Sequence, residues 1–165
     1  MKYARTAAIF LTAVLLLVAP SAFSLEVVRE YQGTQIIREA WVDENGQPAT
    51  GSEGYSYYVV TLNKKGKPLR YDYYDTQGKS VHTKDGYACM TNTYDNSNRL
   101  VETAYWSLIG VNAVGPEGWA RRVHTYKNQK IAETAHYDIY GGLTIGKDGW
   151  ARKTFAYDDR NRVIE

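Results

Sequence analysis

Residues 85–106 read DGYACMTNTYDNSNRLVETAYW, and the pattern of this stretch recurs along the chain. Each copy begins with an acidic residue, a glycine and an aromatic residue: Glu53-Gly54-Tyr55, Asp85-Gly86-Tyr87, Glu117-Gly118-Trp119 and Asp148-Gly149-Trp150. The four glycines are 32, 32 and 31 residues apart. Two further columns follow the repeat in the same register: Gly46, Gly78, Gly110 and Gly141, then Tyr31, Leu62, Tyr94, Tyr126 and Tyr157. Three columns in one register indicate an internal repeat of about four units.

Each unit contains two stretches that favour β-structure. Residues 86–94 and 99–106 are rich in Thr, Val and aromatic side chains, which are typical of strands. Gly or Asn stands in the turn between them, where a left-handed backbone conformation is needed. No window shows a helical period. The sequence therefore predicts an all-β protein of antiparallel hairpin repeats, about four units of 31–32 residues, forming an elongated meander or a small two-layer sheet.

The predicted hairpins have a register that repeats from unit to unit. If Tyr94 faces Arg99 across the turn, Tyr87 faces Trp106 and Ala88 faces Tyr105. The same rule places rings opposite rings in the neighbouring units: Tyr55 with Tyr74, and Trp119 with Tyr137. His136 aligns with Trp41, Tyr73 and Tyr105, so it is interpreted as a packing ring. In this register His124 lies roughly 13 Å from His136 along the strands, too far to share a metal.

The first 24 residues have the layout of a secretory signal peptide. Lys2 and Arg5 precede an apolar run over residues 6–19, and small residues lead to a cleavage point between Ser24 and Leu25. The apolar run is shorter than the roughly 20 residues that cross a bilayer. The sequence thus predicts a signal peptide at 1–24, one β-repeat domain at 25–165, and export to the periplasm, cell surface or extracellular space, with no membrane span after cleavage.

Charge and cysteine content narrow the function classes. The chain has 20 basic and 18 acidic residues, and loss of Lys2 and Arg5 leaves 18 of each. A neutral chain lacks the basic surface that nucleic-acid binding requires. Cys89 is the single cysteine, so no intramolecular disulfide is expected. Cys89 is interpreted as a small residue in a strand, with an intermolecular disulfide as the alternative.

The columns Tyr94-Asp95-x-x-Asn98-Arg99 and Tyr157-Asp158-x-x-Asn161-Arg162 resemble tyrosine–aspartate (YD) repeats of RHS-type bacterial surface proteins. The resemblance covers nearly all of residues 25–165, through a loose motif. It implies an antiparallel β-repeat scaffold in a bacterial envelope or extracellular setting, and it implies no reaction. Leu62 and Lys127 depart from the motif. Four units are also too few for the closed shells that long arrays of such repeats build.

Candidate catalytic and metal-ligating residues have simpler interpretations as parts of the fold. Acids that recur in each unit are interpreted as turn residues, and Glu102 and Glu133 as partners of Arg121 or Arg152. Asp43-Glu44-Asn45-Gly46 offers too few carboxylates to fill a calcium shell alone. No nucleophile–histidine arrangement, phosphate loop or zinc-type spacing is present. The sequence predicts no catalytic residue, no metal, no cofactor and no enzyme; a hydrolase is the weaker alternative.

Aromatic residues are in excess, with 4 Trp, 15 Tyr and 3 Phe in the chain. They either fill the core or form a ladder of rings at the surface, against which a glycan or a protein could stack. The chain is predicted to be a structural or interaction module with a protein or glycan partner; the alternative is a glycan or cell-wall binding module. Head-to-tail self-association through uncovered strand edges is a further expectation. The candidate surface residues are Trp41, Tyr55, Tyr73, Tyr87, Tyr105, Trp106, Trp119 and Trp150.

Overall fold

The computed structural model describes residues 24–160 and 162–164, and these form nine strands and no helix. Their order in the single antiparallel sheet is their order along the chain, which makes the sheet a meander of hairpins. The predicted all-β hairpin repeat is confirmed, in its one-sheet form. The strands are β1 (Glu26–Gln32), β2 (Gln35–Val42), β3 (Tyr57–Leu62), β4 (Pro68–Tyr74), β5 (Cys89–Tyr94), β6 (Leu100–Trp106), β7 (Arg121–Lys127), β8 (Lys130–Tyr137) and β9 (Arg152–Thr154).

The predicted signal peptide of residues 1–24 lies outside the described residues, apart from Ser24. In the part of the chain that the structure describes, no helix has the length and apolar character needed to cross a bilayer.

Short turns join the strands of each hairpin, and long connections join one hairpin to the next. The long connections are residues 43–56, 75–88, 107–120 and 138–151. Each consists of two tight turns in succession: Gly46 N–H donates to the Asp43 carbonyl, and Gly54 N–H donates to the Gly51 carbonyl. Gly46 and Gly54 have φ values of 74° and 87°. The two glycine columns therefore mark the left-handed positions of these two turns.

The predicted hairpin register is wrong by two residues. Trp106 pairs with Cys89 instead of the predicted Tyr87, and Tyr105 pairs with Met90 instead of the predicted Ala88. The first residue of the shift arises in the turn, where the Asp95 N–H donates to the Arg99 carbonyl. Arg99 therefore faces Asp95 instead of the predicted Tyr94. The other arises from a bulge one residue further along, between Thr93 and Tyr94. The pairs Tyr57–Tyr74 and Arg121–Tyr137 show the same shift. A shift of two leaves every side chain on its predicted face of the sheet.

The aspartate and arginine of the Tyr-Asp-x-x-Asn-Arg motif hold the short turn. Asp95 Oδ1 accepts the backbone N–H groups of Ser97 and Arg99, both at 2.9 Å, while Oδ2 accepts the Arg99 side chain at 2.7 Å. The hydrogen bond from the backbone N–H of Arg99 is the main cause that lowers the pKa of the Asp95 carboxyl, and the hydrogen bond from the Arg99 guanidinium is the second. Asp158 makes the same bonds to the residues that follow it. These motif residues have a structural role.

The tyrosine of the motif joins one hairpin to the previous one. Within a hairpin the strands pair along most of their length, whereas β2 and β3 pair over three residues only, from Arg38–Val59 to Ala40–Tyr57. Beyond such short ladders a tyrosine hydroxyl bridges the hairpins by donating to a backbone carbonyl. We call this contact the tyrosine clasp; its members are Tyr94 to Pro68 (3.0 Å), Tyr126 to Leu100 (2.8 Å) and Tyr157 to Ile131 (2.9 Å).

Replacing Tyr126 by phenylalanine is expected to lower the free energy of unfolding by about 1 kcal/mol, because the Leu100 carbonyl loses its donor. Urea unfolding of residues 25–165 measures this. Leu62 occupies the tyrosine column without a hydroxyl. Leu62→Tyr should therefore move the unfolding midpoint in the opposite direction, by offering a donor to the Ile36 carbonyl. An unchanged midpoint for Tyr126→Phe contradicts the proposed contribution of the clasp.

Candidate functional site

Seven of the eight predicted surface rings, together with His136, form one continuous stack. We call this stack the ring ladder. Neighbouring rings alternate between the strand column and the connection column, and their centroids lie 4.0–5.5 Å apart. Each such pair stabilises the structure by about 0.5–1.5 kcal/mol beyond the burial of its area. In order, the ladder is Trp41, Tyr55, Tyr73, Tyr87, Tyr105, Trp119, His136 and Trp150.

The ring ladder lies inside the protein, because the long connections fold over it. Tyr105 is 4 % exposed and Trp119 is 1 % exposed, while Trp41, Tyr87 and Trp150 are half-buried. The backbone of Gly115 lies directly on the Tyr105 ring, where a Cβ atom would come within 2.1 Å of Cε2. Gly51 lies on Trp41 in the same way. The rings therefore fill the space between the sheet and its connections.

Trp106, the eighth candidate, belongs to the other face of the sheet. It is half-buried, and its Nε1–H donates to the Thr91 hydroxyl at 2.8 Å. The predicted contact with Tyr87 is replaced by pairing with Cys89, for the register reason given above. Trp106 and the ring ladder thus do not form a common surface.

His136 is a packing ring, as the sequence predicts. It is 0 % exposed, with Trp119 and Trp150 stacked at 5.5 and 4.0 Å. Its Nδ1 lies 3.2 Å from the Trp150 carbonyl, which can only accept, so Nδ1 carries the proton. In the observed register His124 faces Thr134, and Arg122 faces His136. His124 and His136 are therefore two strand positions apart instead of four, so the predicted 13 Å separation is wrong. Burial lowers the pKa of His124, whose Nδ1 lies 2.8 Å from the Thr134 hydroxyl.

Most of the acidic candidates have structural partners. Asp43 Oδ1 accepts two backbone N–H groups, and the same bonds form at Asp75 and Asp138. Two predicted ion pairs are confirmed: Glu102–Arg121 at 2.8 Å and Glu133–Arg152 at 3.6 Å.

Cys89 is the one sulfur nucleophile of the chain, and it lies in β5 opposite Trp106, on the face of the sheet away from the ring ladder. The residue is 4 % exposed, and burial raises the pKa of its thiol. A raised thiol pKa lowers the fraction of thiolate, the nucleophilic form. Within the described ranges no three His, Cys, Asp or Glu side chains converge on a metal position.

The third and fourth long connections expose a group of apolar side chains that sequence reasoning missed. Ile109 is 84 % exposed and Tyr140 is 90 % exposed. The connections lie side by side, since Lys147 N–H donates to the Glu117 carbonyl at 2.8 Å. We call this group the connection surface; its members are Leu108, Ile109, Val111 and Val114 of the third connection and Ile139, Tyr140, Leu143 and Ile145 of the fourth.

The first two connections are polar at most of the same repeat positions. Leu108-Ile109 and Ile139-Tyr140 correspond to Glu44-Asn45 and Thr76-Gln77. Val114 and Ile145 correspond to Thr50 and His82. The fold of a connection therefore does not require these apolar side chains. Alignment of the connections by their glycine columns is the sequence signal that identifies the connection surface.

The charges of these two connections are mainly negative. Glu117, Asp138 and Asp148 contribute three carboxylates, and Lys147 contributes one ammonium group. Glu117 also accepts the hydroxyl of Tyr105 at 3.0 Å, which ties the third connection to the ring ladder. The connection surface therefore combines exposed apolar side chains with an acidic surrounding.

No model of a known protein family matches the chain, and no curated protein is significantly similar to it in sequence.

Proposed function

We propose that this chain is an exported, non-catalytic β-repeat protein that acts as an interaction module of the bacterial envelope or extracellular space. The layout of residues 1–24 supports export. The structural partners of the recurring acids and the burial of Cys89 support a role other than catalysis. The YD-like columns support an envelope setting by resemblance only.

The connection surface is the observation that carries this proposal. Scattered apolar side chains are normal at protein surfaces, whereas groups of them mark sites of interaction. Eight apolar residues lie here on two adjoining connections. The repeat itself supplies the comparison, because the first two connections have the same turns with polar side chains at most of these positions.

The chemistry of the surface indicates the kind of partner. Aliphatic side chains and one exposed tyrosine favour burial against apolar groups. The carboxylates of Glu117, Asp138 and Asp148 favour a partner with positive charges around its apolar centre. The proposed partner is therefore a protein segment in which apolar residues are flanked by Lys or Arg.

Glycan binding through the ring columns is the alternative function. It requires ring faces that a sugar can reach. Tyr55, Tyr73, Tyr105 and Trp119 are buried beneath the connections, and Gly115 covers the Tyr105 ring. The geometry thus gives this alternative less support than the connection surface gives to a protein partner.

Replacing the tips of the third and fourth connections by those of the second is expected to abolish partner binding without loss of stability. The variant carries Leu108→Thr, Ile109→Gln, Ile139→Thr and Tyr140→Gln, because Thr76-Gln77 occupies these positions in the second connection. Residues 25–165 are used to select from a displayed random-peptide library. Selected peptides should contain apolar residues beside Lys or Arg, and their binding to the variant should be lost.

The matched control changes the first connection, through Glu44→Thr and Asn45→Gln, and should leave peptide binding unchanged. Thermal melts of all forms verify that the fold is retained. A peptidoglycan and insoluble-polysaccharide pull-down is run in parallel. Peptide binding that survives the four substitutions, or retention on a polysaccharide without peptide binding, would overturn the proposed role of the connection surface.

A further inference from the structure

The four long connections form a layer over the ring ladder, and backbone hydrogen bonds join them in two pairs. Lys84 of the second connection donates its N–H to the carbonyl of Glu53 in the first, at 2.8 Å. Lys147 of the fourth connection donates in the same way to Glu117 of the third, also at 2.8 Å. The two lysines occupy the same position of the repeat.

The second and third connections, which the structure describes in full, lack this bond. Pro116 stands at the position of the two lysines and has no N–H to donate to the Asp85 carbonyl. The space between the connections differs as well. A Cβ atom at Gly54 or Gly118 would lie 3.2 or 3.5 Å from the following connection, whereas one at Gly86 would meet no described atom within 4 Å, its chain neighbours aside. The layer therefore has a gap between its second and third connections.

This gap exposes part of one ring of the ladder. Tyr55 and Trp119, which follow the two closely packed glycines, are 9 % and 1 % exposed. Tyr87, which follows Gly86, is half-buried although its ring keeps its place in the ladder, 4.7 Å from that of Tyr105. The exposed part of the Tyr87 ring therefore lies beside the gap.

A lysine fills the corresponding space at the other two junctions. The Lys84 ammonium lies 2.7 Å from a carboxylate oxygen of Glu53, and this hydrogen bond lowers the pKa of the Glu53 carboxyl. The stem of Lys147 lies on Gly118, with its Cγ 3.5 Å from the Cβ position of that glycine. The repeat thus uses a lysine to cover the acidic residue and the glycine that precede each buried ring.

The gap presents the same groups without a lysine of this chain. Asp85 is exposed, and the ammonium of Lys84, its neighbour in sequence, is paired with Glu53 across the first junction. The third connection has Pro116 at the position from which a lysine would reach Asp85. A carboxylate, a glycine backbone and part of the Tyr87 ring are therefore available to a cation with an apolar stem.

The connection surface adjoins this gap. The backbone nitrogen of Leu108, the first residue of that surface, lies 3.5 Å from Nε2 of His82 in the second connection. Val114, another member of the surface, lies two residues before Pro116. A partner on the connection surface can therefore reach the gap with a neighbouring residue.

We infer that the gap between the second and third connections receives the side chain of a lysine of the protein partner. Its ammonium donates to the Asp85 carboxylate, as that of Lys84 does to Glu53. Its stem packs beside Gly86 and the Tyr87 ring. The inference rests on the proposed function for the nature of the partner, and it assigns the place of one basic residue of that partner.

A heteronuclear NMR titration of residues 25–165 with Nα-acetyl-lysine N-methylamide tests the site without a selected peptide. The amide signals of Asp85 and Gly86 should shift, with the weak affinity of an exposed ion pair. The same compound acetylated at its ammonium group has no charge and should leave them unchanged. Asp85→Asn should weaken the affinity about threefold. Pro116→Lys supplies the lysine of the repeat and should abolish the shifts.

Glu44→Gln is the matched control, since it removes an exposed carboxylate from a connection that does not border the gap. It should leave the titration unchanged, and thermal melts verify that all variants are folded. Absence of a shift at Gly86 in the wild type would overturn the inference. Shifts of equal affinity in Asp85→Asn, or shifts that persist in Pro116→Lys, would overturn it too.

The selected peptides separate this inference from the proposed function. Pro116→Lys should weaken the binding of lysine-containing peptides about threefold, the contribution of one exposed ion pair. Peptides that need the connection surface but bind equally well to Asp85→Asn and Pro116→Lys would overturn the lysine site and leave the proposed function in place. Lysine-dependent shifts at Gly86 without any selected peptide would support the lysine site and contradict the proposed function.

Discussion

Replacing Trp119 by alanine is expected to lower the free energy of unfolding by about 3–5 kcal/mol. Trp119 is 1 % exposed and is an interior member of the ring ladder, 5.1 Å from Tyr105 and 5.5 Å from His136. Arg122 also lies over its ring, at 4.9 Å. Its removal leaves a large cavity and separates His136 and Trp150 from the other five rings of the ladder. Chemical unfolding followed by circular dichroism measures the change.

Trp106→Ala provides the comparison for a tryptophan outside the ladder. Trp106 is half-buried, so its replacement by alanine removes a smaller contact area than that of Trp119, together with one hydrogen bond to Thr91. Its substitution should destabilise by about 1–2 kcal/mol, less than that of Trp119. Equal effects of the two substitutions, or a Trp119→Ala protein as stable as the wild type, would contradict the ladder as the core of the fold.

Gly115→Ala, which adds a single methyl group, is expected to lower the free energy of unfolding by about 2–3 kcal/mol. The added Cβ atom would lie 2.1 Å from Cε2 and 2.2 Å from Cδ2 of Tyr105. These ring atoms are buried, so either the ring or the third connection has to move. Gly51 and Gly146 stand at the equivalent positions of the first and fourth connections, whereas Thr83 fills that of the second.

Gly110→Ala separates the clash from the general cost of replacing a glycine. Gly110 has a φ of 78° and open space around it, so an alanine there adds only the strain of a left-handed residue, about 1 kcal/mol. In thermal melts the melting temperature of Gly115→Ala should therefore be lower than that of Gly110→Ala. The reverse order would show that the connection does not pack tightly on the ring ladder.

The repeat columns predict the strands and their faces because both depend on regular spacing. Gly46 and Gly54 mark turns, and the alternation of side chains assigns each residue to a face. Register is less accessible to such reasoning. The Asp95–Arg99 pairing and the bulge beside Tyr94 each displace the ladder by one residue, and the bulge has no distinct residue signature.

The sequence leaves open whether the ring columns are core or surface, and the connection backbone decides it. Gly51 and Gly115 lack a side chain so that the connections can lie on the rings of Trp41 and Tyr105. This close approach cannot be read from spacing, since glycine is also the usual residue of turns. The connection surface is missed for a different reason: its residues break the pattern of the repeat instead of following it.

Only consecutive strands of this sheet contact one another. Cooperativity therefore depends on nearest neighbours, and each junction between hairpins transmits it with its own strength. Leu62 leaves the junction between β2 and β3 without the hydroxyl that Tyr94, Tyr126 and Tyr157 supply to the others. The lack of this hydrogen bond makes it easier for β1 and β2 to open as a unit while the remaining hairpins stay folded.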